Sequence, residues 1–506
     1  MKIRILASSD VHGYAMPYSY ADNKPCNHGL LRLKSTIKAY RNENTLLIDN
    51  GDILQGSPLL TYYYEHQDEY ENPMISCVND IGYDYINIGN HDFNYGIKNL
   101  KNYLQNIKAR CLTGNVFYKG ECLGNEYVIH EFADGKRIAL IGAVTHYISN
   151  WEKEENLKDV EVIEAFEFVK RTVEKIKREE ETDGIVVVYH GGYERDLLTG
   201  SLTEADTGEN EAYRMCKEIE GIDVLISGHQ HRSFATFCLK VKTTQTACNG
   251  KELALIDYDL DKRAIEAALI PNDYPADKEL EQKLSMIEEA TQHWLDETCG
   301  EIVDYDLRIK DEFAARLKKH PLISFLNQIQ KEAAHSDLSG NALFNDAVGF
   351  NQNISMRDIV STYVYPNTIV VLRISGKILK EYLEKCAEYF AVEDQKIVVN
   401  KSYIYPKPQH FNYDMVDGVD YVIKVSNPPG ERIISLKYQR SDVKDDDSFL
   451  LAINNYRASG GGNFLMFKDC EVVREIQDDM VNVIGNYLLK HPKVKVEHHD
   501  NIEVII

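Results

Sequence analysis

The chain of 506 residues is acidic, with a formal net charge of −23 at pH 7, and 43% of its residues are hydrophobic. This length exceeds what one ordinary hydrophobic core accommodates, so we expect two domains. The acidic balance argues against a nucleic-acid polymer or an anionic membrane surface as a partner, because both bind basic patches. A small anionic substrate is compatible with it if bound metal ions reverse the charge locally.

The chain opens with MKIRILASSDVHG and contains ten cysteines without a C-x-x-C pair. Its first apolar run leads directly into polar, candidate catalytic residues, so no signal peptide is visible, and no apolar stretch is long enough to span a bilayer. We therefore predict a reduced, cytoplasmic protein, unless a leader has been removed. The sequence does not indicate an oligomeric state.

The first half of the chain alternates short apolar runs with amphipathic runs. The apolar runs predict strands, and the amphipathic runs have helical spacing. The pattern is typical of an α/β domain in which helices cover a largely parallel central sheet. The predicted strands are IRILAS, TLLIDNGD, YDYINIGN, RIALIGAVT, GIVVVYH and IDVLISGH, and the predicted helices are LLRLKSTIKAYRNEN and GIKNLKNYLQNI.

The pattern changes near Ile270, where a proline-containing stretch precedes a charged helical segment. We predict an N-terminal domain over residues 1–270, a connecting or hinge region over 271–320 and a C-terminal domain over 321–506. In the last of these, PLISFLNQIQKEAAHSD predicts a helix and VVLRISGKILKEYLEKCAEYF predicts a strand followed by a helix. VDYVIKVS and RIISLKYQ predict antiparallel strands joined by an NPPG turn.

Polar side chains follow the predicted strands at five points in the first half. In open α/β sheets, ligands bind outside the carboxyl ends of the strands, so these groups are expected at one edge. The candidate residues are Asp10, His12, Asp52, Asn90, His91, Asp92, His190, His229 and His231.

Each of these features is ordinary alone, since a histidine after a strand usually makes a loop hydrogen bond and Gly-Asp usually forms a turn. As a set, carboxylates, an amide and imidazoles are ligands that Mn²⁺, Zn²⁺, Fe or Co would accept. Asp52 is the most economical bridge between two ions. Two ions roughly 3.5–4 Å apart would clamp an in-line displacement at phosphorus.

The motifs DVHG, NGDILQGSP, GNHDFNYG, the histidine of VVYHGG, and GHQHR resemble, in this order, those of calcineurin-like metallophosphoesterases. NGDILQGSP and GNHDFNYG resemble more narrowly the 5′-nucleotidase and 2′,3′-cyclic-nucleotide 2′-phosphodiesterase family. YPNTIVVLRISGKILKEYLE, FNYDMVDGVDYVIKVSNPPGERI and NNYRASGGGNF are similar to the nucleotide-binding domain of that family. The resemblance implies an N-terminal dimetal α/β sandwich and a second, α+β C-terminal domain.

The resemblance also implies residue roles. One metal ion would be bound by Asp10, His12 and His231, the other by Asn90, His190 and His229, with Asp52 bridging both. His91 would act on the substrate phosphate as a catalyst, and Asp92 would orient His91, although an N-cap of the following helix is an equal alternative for Asp92. The ions would act as Lewis acids and activate a water, so that no covalent enzyme intermediate is needed.

Base recognition is expected from two aromatic side chains, because every base presents a π-face. If HFNYD is extended, Phe411 and Tyr413 share one face, and Tyr456 and Phe464 flank a glycine-rich loop. We prefer Tyr413 and Phe464, with Phe411 and Tyr456 as substitutes. Arg457 and Asp469 are further candidates for substrate contact. With the metal ions on the N-terminal domain, this clamp would require the two domains to meet around the substrate.

One departure from the family concerns its Gly-Gly-x-Arg segment, whose arginine binds the nucleotide. The matching stretch has Phe344, Asn345 and Asp346, and Asn345 becomes a candidate for substrate binding. TYVYPNT resembles the cyclic-phosphodiesterase branch of the family. The absent arginine and this resemblance favour 2′,3′-cyclic nucleotides as substrates, with 3′-nucleotidase activity. The alternatives are a 5′-nucleotidase, a hydrolase of other esters such as sulfur esters, and a binding module without catalysis.

Overall fold

The computed structural model describes residues 1–150, 152–203, 207–365, 367–405, 407–476 and 480–506. The chain divides into two compact units, Met1–Thr291 and Gln292–Ile506. Within the described residues, no helix is both long and apolar enough to cross a membrane. None of the cysteines, all of which fall in described segments, forms a disulfide.

The first unit is built on two six-stranded sheets, each with four parallel strands and two antiparallel strands. The antiparallel strands lie at one edge of the first sheet and one at each edge of the second. The first sheet contains, in spatial order, Ala264–Pro271, Glu252–Asp259, Lys2–Ser8, Thr45–Asp49, Tyr85–Ile86 and Arg110–Cys111. The second contains Phe234–Cys238, Val241–Gln245, Val224–Ser227, Gly184–His190, Arg137–Val144 and Val128–Glu131.

The two sheets share one apolar core. Ile5 and Ile48 of the first sheet and Leu140 and Val188 of the second belong to the same buried cluster. The alternate side chains of the second sheet, such as Val187, instead pack with residues of two helices on its other side. The predicted strands and α/β class are confirmed, but the expectation of a single central sheet is wrong. A continuous apolar run predicts a strand that is buried on both faces. It does not indicate whether a helix or a second sheet covers each face.

Helices and shorter strands complete the first unit. The helices are Leu30–Tyr40, Pro58–Glu65, Pro73–Ile81, Gly96–Asn106, Ala165–Glu179, Ala212–Glu218 and Lys278–Leu295, the last of which contains the division between the units. The 3₁₀ helices are His91–Phe93 and His146–Asn150, and a small sheet contains Glu121–Cys122, Val116–Tyr118 and Val160–Val162.

The second unit contains a five-stranded and a four-stranded sheet. The first has the order Asp414–Asp417, Leu338–Ala342, Ser448–Asn454, Ile369–Ser375 and Glu471–Ile476. The second has the order Ser441–Asp442, Ile433–Tyr438, Asp420–Lys424 and Ile502–Ile505. The predicted antiparallel pair across NPPG is confirmed, since Asp420–Lys424 pairs with Ile433–Tyr438.

The remaining elements of the second unit are short strands and helices. The strands are Thr298–Ile302, Leu307–Arg308, Gly349–Phe350, Asn353–Ser355, Phe390–Glu393, Lys396–Val399 and Lys493–Val494. The α-helices are Glu312–Leu317, Pro321–Ala334, Met356–Thr362, Gly376–Ala387, Asn455–Ala458 and Met480–Lys490. The 3₁₀ helices are Lys401–Tyr403, His410–Asn412, Gly461–Asn463 and Leu465–Phe467. HFNYD is therefore not extended as one piece, because a helical turn precedes the strand at Asp414.

Candidate active site

The predicted metal ligands lie where parallel strands of both sheets end. Asp10 and His12 follow Lys2–Ser8, Asp52 follows Thr45–Asp49, and Asn90 follows Tyr85–Ile86. His190 is the last residue of Gly184–His190, and His229 and His231 follow Val224–Ser227. Because the two sheets face each other over one core, their strand ends bring these side chains together.

Five of these residues have a left-handed backbone conformation that is uncommon for residues other than glycine. Such conformations cost free energy and cluster at functional sites, where the surrounding structure enforces them. The φ angles are 56° at Asp10, 52° at His12, 57° at Asp52, 68° at His229 and 54° at His231.

One group of donor atoms surrounds His12. Its Nε2 lies 3.0 Å from Nε2 of His231 and 4.0 Å from Oδ2 of Asp52. Nε2 of His231 is in turn 3.4 Å from Oδ1 of Asp10. Nδ1 of His12 donates to the Gln55 carbonyl over 3.1 Å, so Nε2 carries the lone pair that a metal ion would use. Burial lowers the pKa of His12 to about 3, which keeps the ring neutral.

A second group surrounds His190, whose side chain is fully buried. Its Nδ1 donates to the Asn50 carbonyl over 2.7 Å, which directs Nε2 toward Oδ2 of Asp52, 3.1 Å away. These two buried atoms have no hydrogen-bond partner among the described residues. Although burial lowers the pKa of His190, the Asp52 and Asp10 carboxylates raise it to about 10. These carboxylates therefore stabilise a positive charge at this position.

The donor atoms of this site fit divalent metal ions. A buried carboxylate oxygen and a buried imidazole nitrogen that have no partner besides each other leave bonding capacity unused, which a cation bound to both would use. Two sets of neighbouring donor atoms have this geometry: Asp10 with His12 and His231, and Asp10 with Asp52 and His190. The mixture of hard oxygen and imidazole donors suits a transition-metal ion.

Asn90 and His229 form a further pair of donors. Oδ1 of Asn90 lies 2.9 Å from Nδ1 of His229, whose Nε2 lies 3.0 Å from Oε1 of Glu209. A carboxylate accepts a proton donor, so Nε2 carries a hydrogen toward Glu209. The Asn90 oxygen also only accepts, so its approach to Nδ1 requires either a hydrogen on Nδ1 or a cation between the two atoms. Glu209 was not among the candidate residues, because no local sequence pattern links it to His229 twenty residues away.

Asp92 has a different role from the predicted one. Its carboxylate accepts hydrogen bonds from the backbone N–H groups of Asp52 at 3.0 Å, Ile53 and Leu54 at 2.9 Å each, and Gly89 at 2.8 Å. It therefore holds the turn that presents Asp52. The prediction that Asp92 orients His91 is wrong, and so is the alternative of a cap on the following helix, because all of its hydrogen bonds go to these other N–H groups.

The ring of His91 is oriented instead by Asn94. Nδ1 of His91 lies 2.8 Å from Oδ1 of Asn94, and the backbone N–H of His91 donates to Oδ1 of Asp52 over 2.7 Å. The ring lies 5.5 Å from that of His12, centroid to centroid. His91 is thus anchored beside the predicted metal ligands, as its assigned role requires. Asn94 was missed because its side chain reaches His91 only through the 3₁₀ turn.

The preferred aromatic pair of the second unit lies in its core. Tyr413 and Phe464 are both 0% exposed. The Tyr413 ring stacks on Tyr389 with centroids 4.7 Å apart, and one face of Phe464 is covered by the Arg457 guanidinium at 4.0 Å. The structure therefore does not support the preference for these two residues as base-stacking groups.

The two substitutes differ from the preferred pair in exposure. Phe411 and Tyr456 are partly exposed, with ring centroids 6.5 Å apart at an interplanar angle of 69°. They remain the aromatic candidates for base contact. Their rings are not parallel, so a sandwiched base would need one of them to rotate.

The three polar candidates of the second unit also differ from one another. Arg457 is 1% exposed, pairs with Asp414 at 2.7 Å and donates to the Phe411 and Gly461 carbonyls, so its guanidinium serves the fold. Asn345 donates to the Pro408 carbonyl over 2.9 Å, while its buried Oδ1 has no partner within the described part of the chain. Asp469 is exposed.

Comparison with known proteins agrees with this arrangement. Residues 3–233 match the model of the calcineurin-like phosphoesterases, and residues 303–469 match that of the 5′-nucleotidase C-terminal domain. A crystal structure of a Staphylococcus aureus protein, provisionally named a 5′-nucleotidase and bound to alpha-ketoglutarate, is 33% identical, with a TM-score of 0.93 and full coverage of both chains.

Two curated bacterial relatives extend the comparison. The Haemophilus influenzae 2′,3′-cyclic-nucleotide 2′-phosphodiesterase/3′-nucleotidase is 27% identical over 96% of this chain and 84% of the relative. The Bacillus subtilis trifunctional nucleotide phosphoesterase YfkN is 26% identical over 99% of this chain, which spans only 38% of YfkN. The chain therefore belongs to the 5′-nucleotidase family of calcineurin-like metallophosphoesterases, which are metal-dependent phosphoester hydrolases.

Proposed function

We propose that the chain hydrolyses nucleotide phosphoesters, with 2′,3′-cyclic nucleotides preferred and 3′-nucleotides as further substrates. The observation that carries the proposal is the buried pair of Asp52 Oδ2 and His190 Nε2, which face each other without a further hydrogen-bond partner among the described residues, where two sets of donor atoms converge. A cluster of this composition suits phosphoester hydrolysis rather than passive binding.

Two divalent ions, of Mn, Zn, Fe or Co, fit the donor atoms of this site. Asp10, His12 and His231 would hold one, and Asn90, His190 and His229 the other, with Asp52 shared between them. When bound, such ions polarise the phosphoryl oxygens and make a water nucleophilic near neutral pH.

The protein's own groups prepare this site. The Gln55 and Asn50 carbonyls select the tautomers in which Nε2 of His12 and of His190 can coordinate. Asp92 holds the turn of Asp52 through the three backbone N–H groups of Asp52, Ile53 and Leu54, and it also accepts from the N–H of Gly89. His91, whose Nδ1 is bound to Asn94, presents Nε2 for donating a proton to the leaving oxygen.

The preference for cyclic nucleotides rests on the segment that replaces Gly-Gly-x-Arg. Phe344, Asn345 and Asp346 offer no cation there. Arg316, the nearby arginine, is buried and donates to the Leu343 and Phe344 carbonyls, so it does not substitute for the missing arginine. The Haemophilus influenzae relative, named for cyclic-nucleotide and 3′-nucleotide hydrolysis, supports the same assignment.

The test is a kinetic comparison of purified, Mn²⁺-loaded protein on 2′,3′-cyclic AMP, 3′-AMP, 5′-AMP and bis-p-nitrophenyl phosphate. We expect kcat/KM to be highest for 2′,3′-cyclic AMP and lowest among the nucleotides for 5′-AMP. A clear preference for 5′-AMP would overturn the substrate assignment. No hydrolysis of any ester at any metal concentration would overturn the proposed function itself.

A further inference from the structure

A chain of hydrogen bonds extends from His91 away from the predicted metal ligands. Nδ1 of His91 meets Oδ1 of Asn94 at 2.8 Å, and Nδ2 of Asn94 donates to Oε2 of Glu152 over 2.5 Å. The other carboxylate oxygen of Glu152 accepts from Nδ2 of Asn156 and from the backbone N–H of Lys153, both at 2.8 Å. Asn156 also donates to the Asn94 carbonyl over 2.9 Å. Glu152 is thus fixed on both of its oxygens.

The carboxylate determines which end of the Asn94 amide faces His91. An ionised carboxylate only accepts hydrogen bonds, so the NH₂ group of Asn94 must point toward Glu152 and its oxygen toward His91. An amide oxygen also only accepts, so Nδ1 of His91 must carry a hydrogen. Its Nε2 is then the ring nitrogen left free by Asn94 to contact a substrate.

We propose that Glu152 is a positioning residue for catalysis, which acts through Asn94 to hold His91 in the tautomer and orientation that place Nε2 at the leaving oxygen. This inference rests on the proposed role of His91. Glu152 itself touches neither the metal ligands nor His91 in the contacts described above, so its contribution depends on the Asn94 amide.

Glu152→Gln tests the proposal with little change in shape. The glutamine keeps its single carbonyl oxygen against the two donors of Asn156 and Lys153, so its NH₂ group faces Asn94. The Asn94 amide then turns over and presents NH₂ to His91, which favours the wrong tautomer. We expect kcat on 2′,3′-cyclic AMP to fall about tenfold, a part of the roughly 10²–10⁴-fold that a proton-transfer group contributes, with KM unchanged.

The leaving group separates this role from a structural one. A ribose oxygen needs a proton as it departs, whereas p-nitrophenolate departs without one, so bis-p-nitrophenyl phosphate should be hydrolysed by Glu152→Gln at close to the wild-type rate. In the His91→Ala background, Glu152→Gln should have no further effect, because the two residues act in one pathway. The matched control is Glu154→Gln, an exposed acidic residue of the same segment, which should behave as wild type.

A double variant that exchanges the amide and the carboxylate between positions 94 and 152 tests the role of Glu152 even if Glu152→Gln alone folds poorly. In Asn94→Asp with Glu152→Gln, the glutamine NH₂ donates to one aspartate oxygen and the other oxygen accepts from Nδ1 of His91. The double variant should regain most of the cyclic-AMP activity that Glu152→Gln loses, while Asn94→Asp alone, with two carboxylates in contact, should not.

The outcomes distinguish the inference from the proposed function. Three results would overturn the inference as long as His91→Ala remains impaired. They are equal losses of kcat by Glu152→Gln on both esters, a loss no larger than that of Glu154→Gln, and a loss that adds fully to that of His91→Ala. Wild-type turnover by His91→Ala on 2′,3′-cyclic AMP would overturn both the role of His91 and the inference built on it.

Discussion

The predicted metal ligands of the first unit lie close together, whereas the preferred aromatic pair of the second unit is buried in its core. The ligands follow buried strands directly, and the structure brings donor atoms such as Nε2 of His12 and of His231 to within 3.0 Å of each other. The aromatic residues were chosen near glycine-rich or turn segments, and Tyr413 and Phe464 are core residues. One polar group after a buried strand usually serves a loop or a turn, but a set of carboxylates, imidazoles and an amide at five strand ends is typical of a metal site. A single aromatic ring serves a core as readily as a surface.

The largest loss of activity is expected on removal of the carboxylate that the two predicted metal sites share. Asp52→Asn should lower kcat/KM on every ester by more than about 100-fold, the upper range for residues that only orient metal ligands. The physical reason is that the amide loses the charge opposite His190. Steady-state kinetics on 2′,3′-cyclic AMP and on bis-p-nitrophenyl phosphate measures the effect.

A matched control is available on the same strand. Asp49 is equally buried, but it accepts from Ser8 and Gly51 rather than facing the predicted ligands. Asp49→Asn should keep most of the activity. If Asp52→Asn were as active as Asp49→Asn, the assignment of Asp52 as a bridge would be wrong.

The next largest effect concerns His91, the predicted catalyst among ligands. His91→Ala should lower kcat on 2′,3′-cyclic AMP by roughly 10²–10⁴-fold, the range for a group that transfers a proton. Metal content, measured by elemental analysis, should equal that of wild type. Loss of one ion by this variant would show instead that His91 is a ligand.

Aromatic substitutions in the second unit distinguish core residues from base-contacting residues. Tyr413→Ala should lower the free energy of unfolding of this unit by about 3–5 kcal/mol, because it empties a packed core position. Phe411→Ala and Tyr456→Ala should instead weaken nucleotide binding by roughly 1–3 kcal/mol per stacked base face. Denaturant unfolding and KM for 2′,3′-cyclic AMP measure the two effects.

The baseless ester provides the control for these variants. Phe411→Ala and Tyr456→Ala should hydrolyse bis-p-nitrophenyl phosphate at nearly the wild-type rate, since that ester has no base to stack. Unchanged stability together with a nucleotide-specific loss in Tyr413→Ala would restore the original choice of Tyr413 as a base contact.

The smallest expected effect is a pH dependence of stability in the metal-free protein. Burial raises the pKa of Asp49 from 3.8 to about 7. The folded chain therefore keeps a proton that the unfolded chain releases, and wild-type stability falls as pH rises from about 4 to about 7. Asp49→Asn removes this loss, so its melting temperature should gain on that of wild type as pH rises across that window, at roughly 2–4 °C per kcal/mol.

Asp80 supplies a control of opposite sign. Although burial opposes it, hydrogen bonds from Lys283 and Lys34 lower the pKa of Asp80, so its contribution to stability is present above pH 3.8 and lost as pH falls. Asp80→Asn should therefore lose melting temperature relative to wild type as pH rises toward about 4, and the difference should stay constant above it. The same sign of pH dependence for both variants would contradict the burial argument for Asp49.

The sequence predicted the strands of the first unit and placed the candidate ligands at their ends, because both depend on local runs of apolar and polar residues. Their role as ligands stays a prediction. It did not predict that two sheets face each other, since a strand buried on both faces does not reveal what covers it. The partners Asn94, Glu152 and Glu209 were also missed. Their side chains act through contacts between segments that local sequence patterns do not describe, and the same holds for the Asp52 turn held by Asp92.

The metal content of the purified chain tests the central claim most directly. Wild-type protein and Asp52→Asn would be stripped with a chelator, reloaded with Mn²⁺, desalted and analysed for bound metal. We predict close to two ions per wild-type chain, fewer in Asp52→Asn, and hydrolysis of bis-p-nitrophenyl phosphate in proportion to the bound metal. Wild-type protein that holds no more metal than Asp52→Asn, or that stays fully active in excess chelator, would contradict the account.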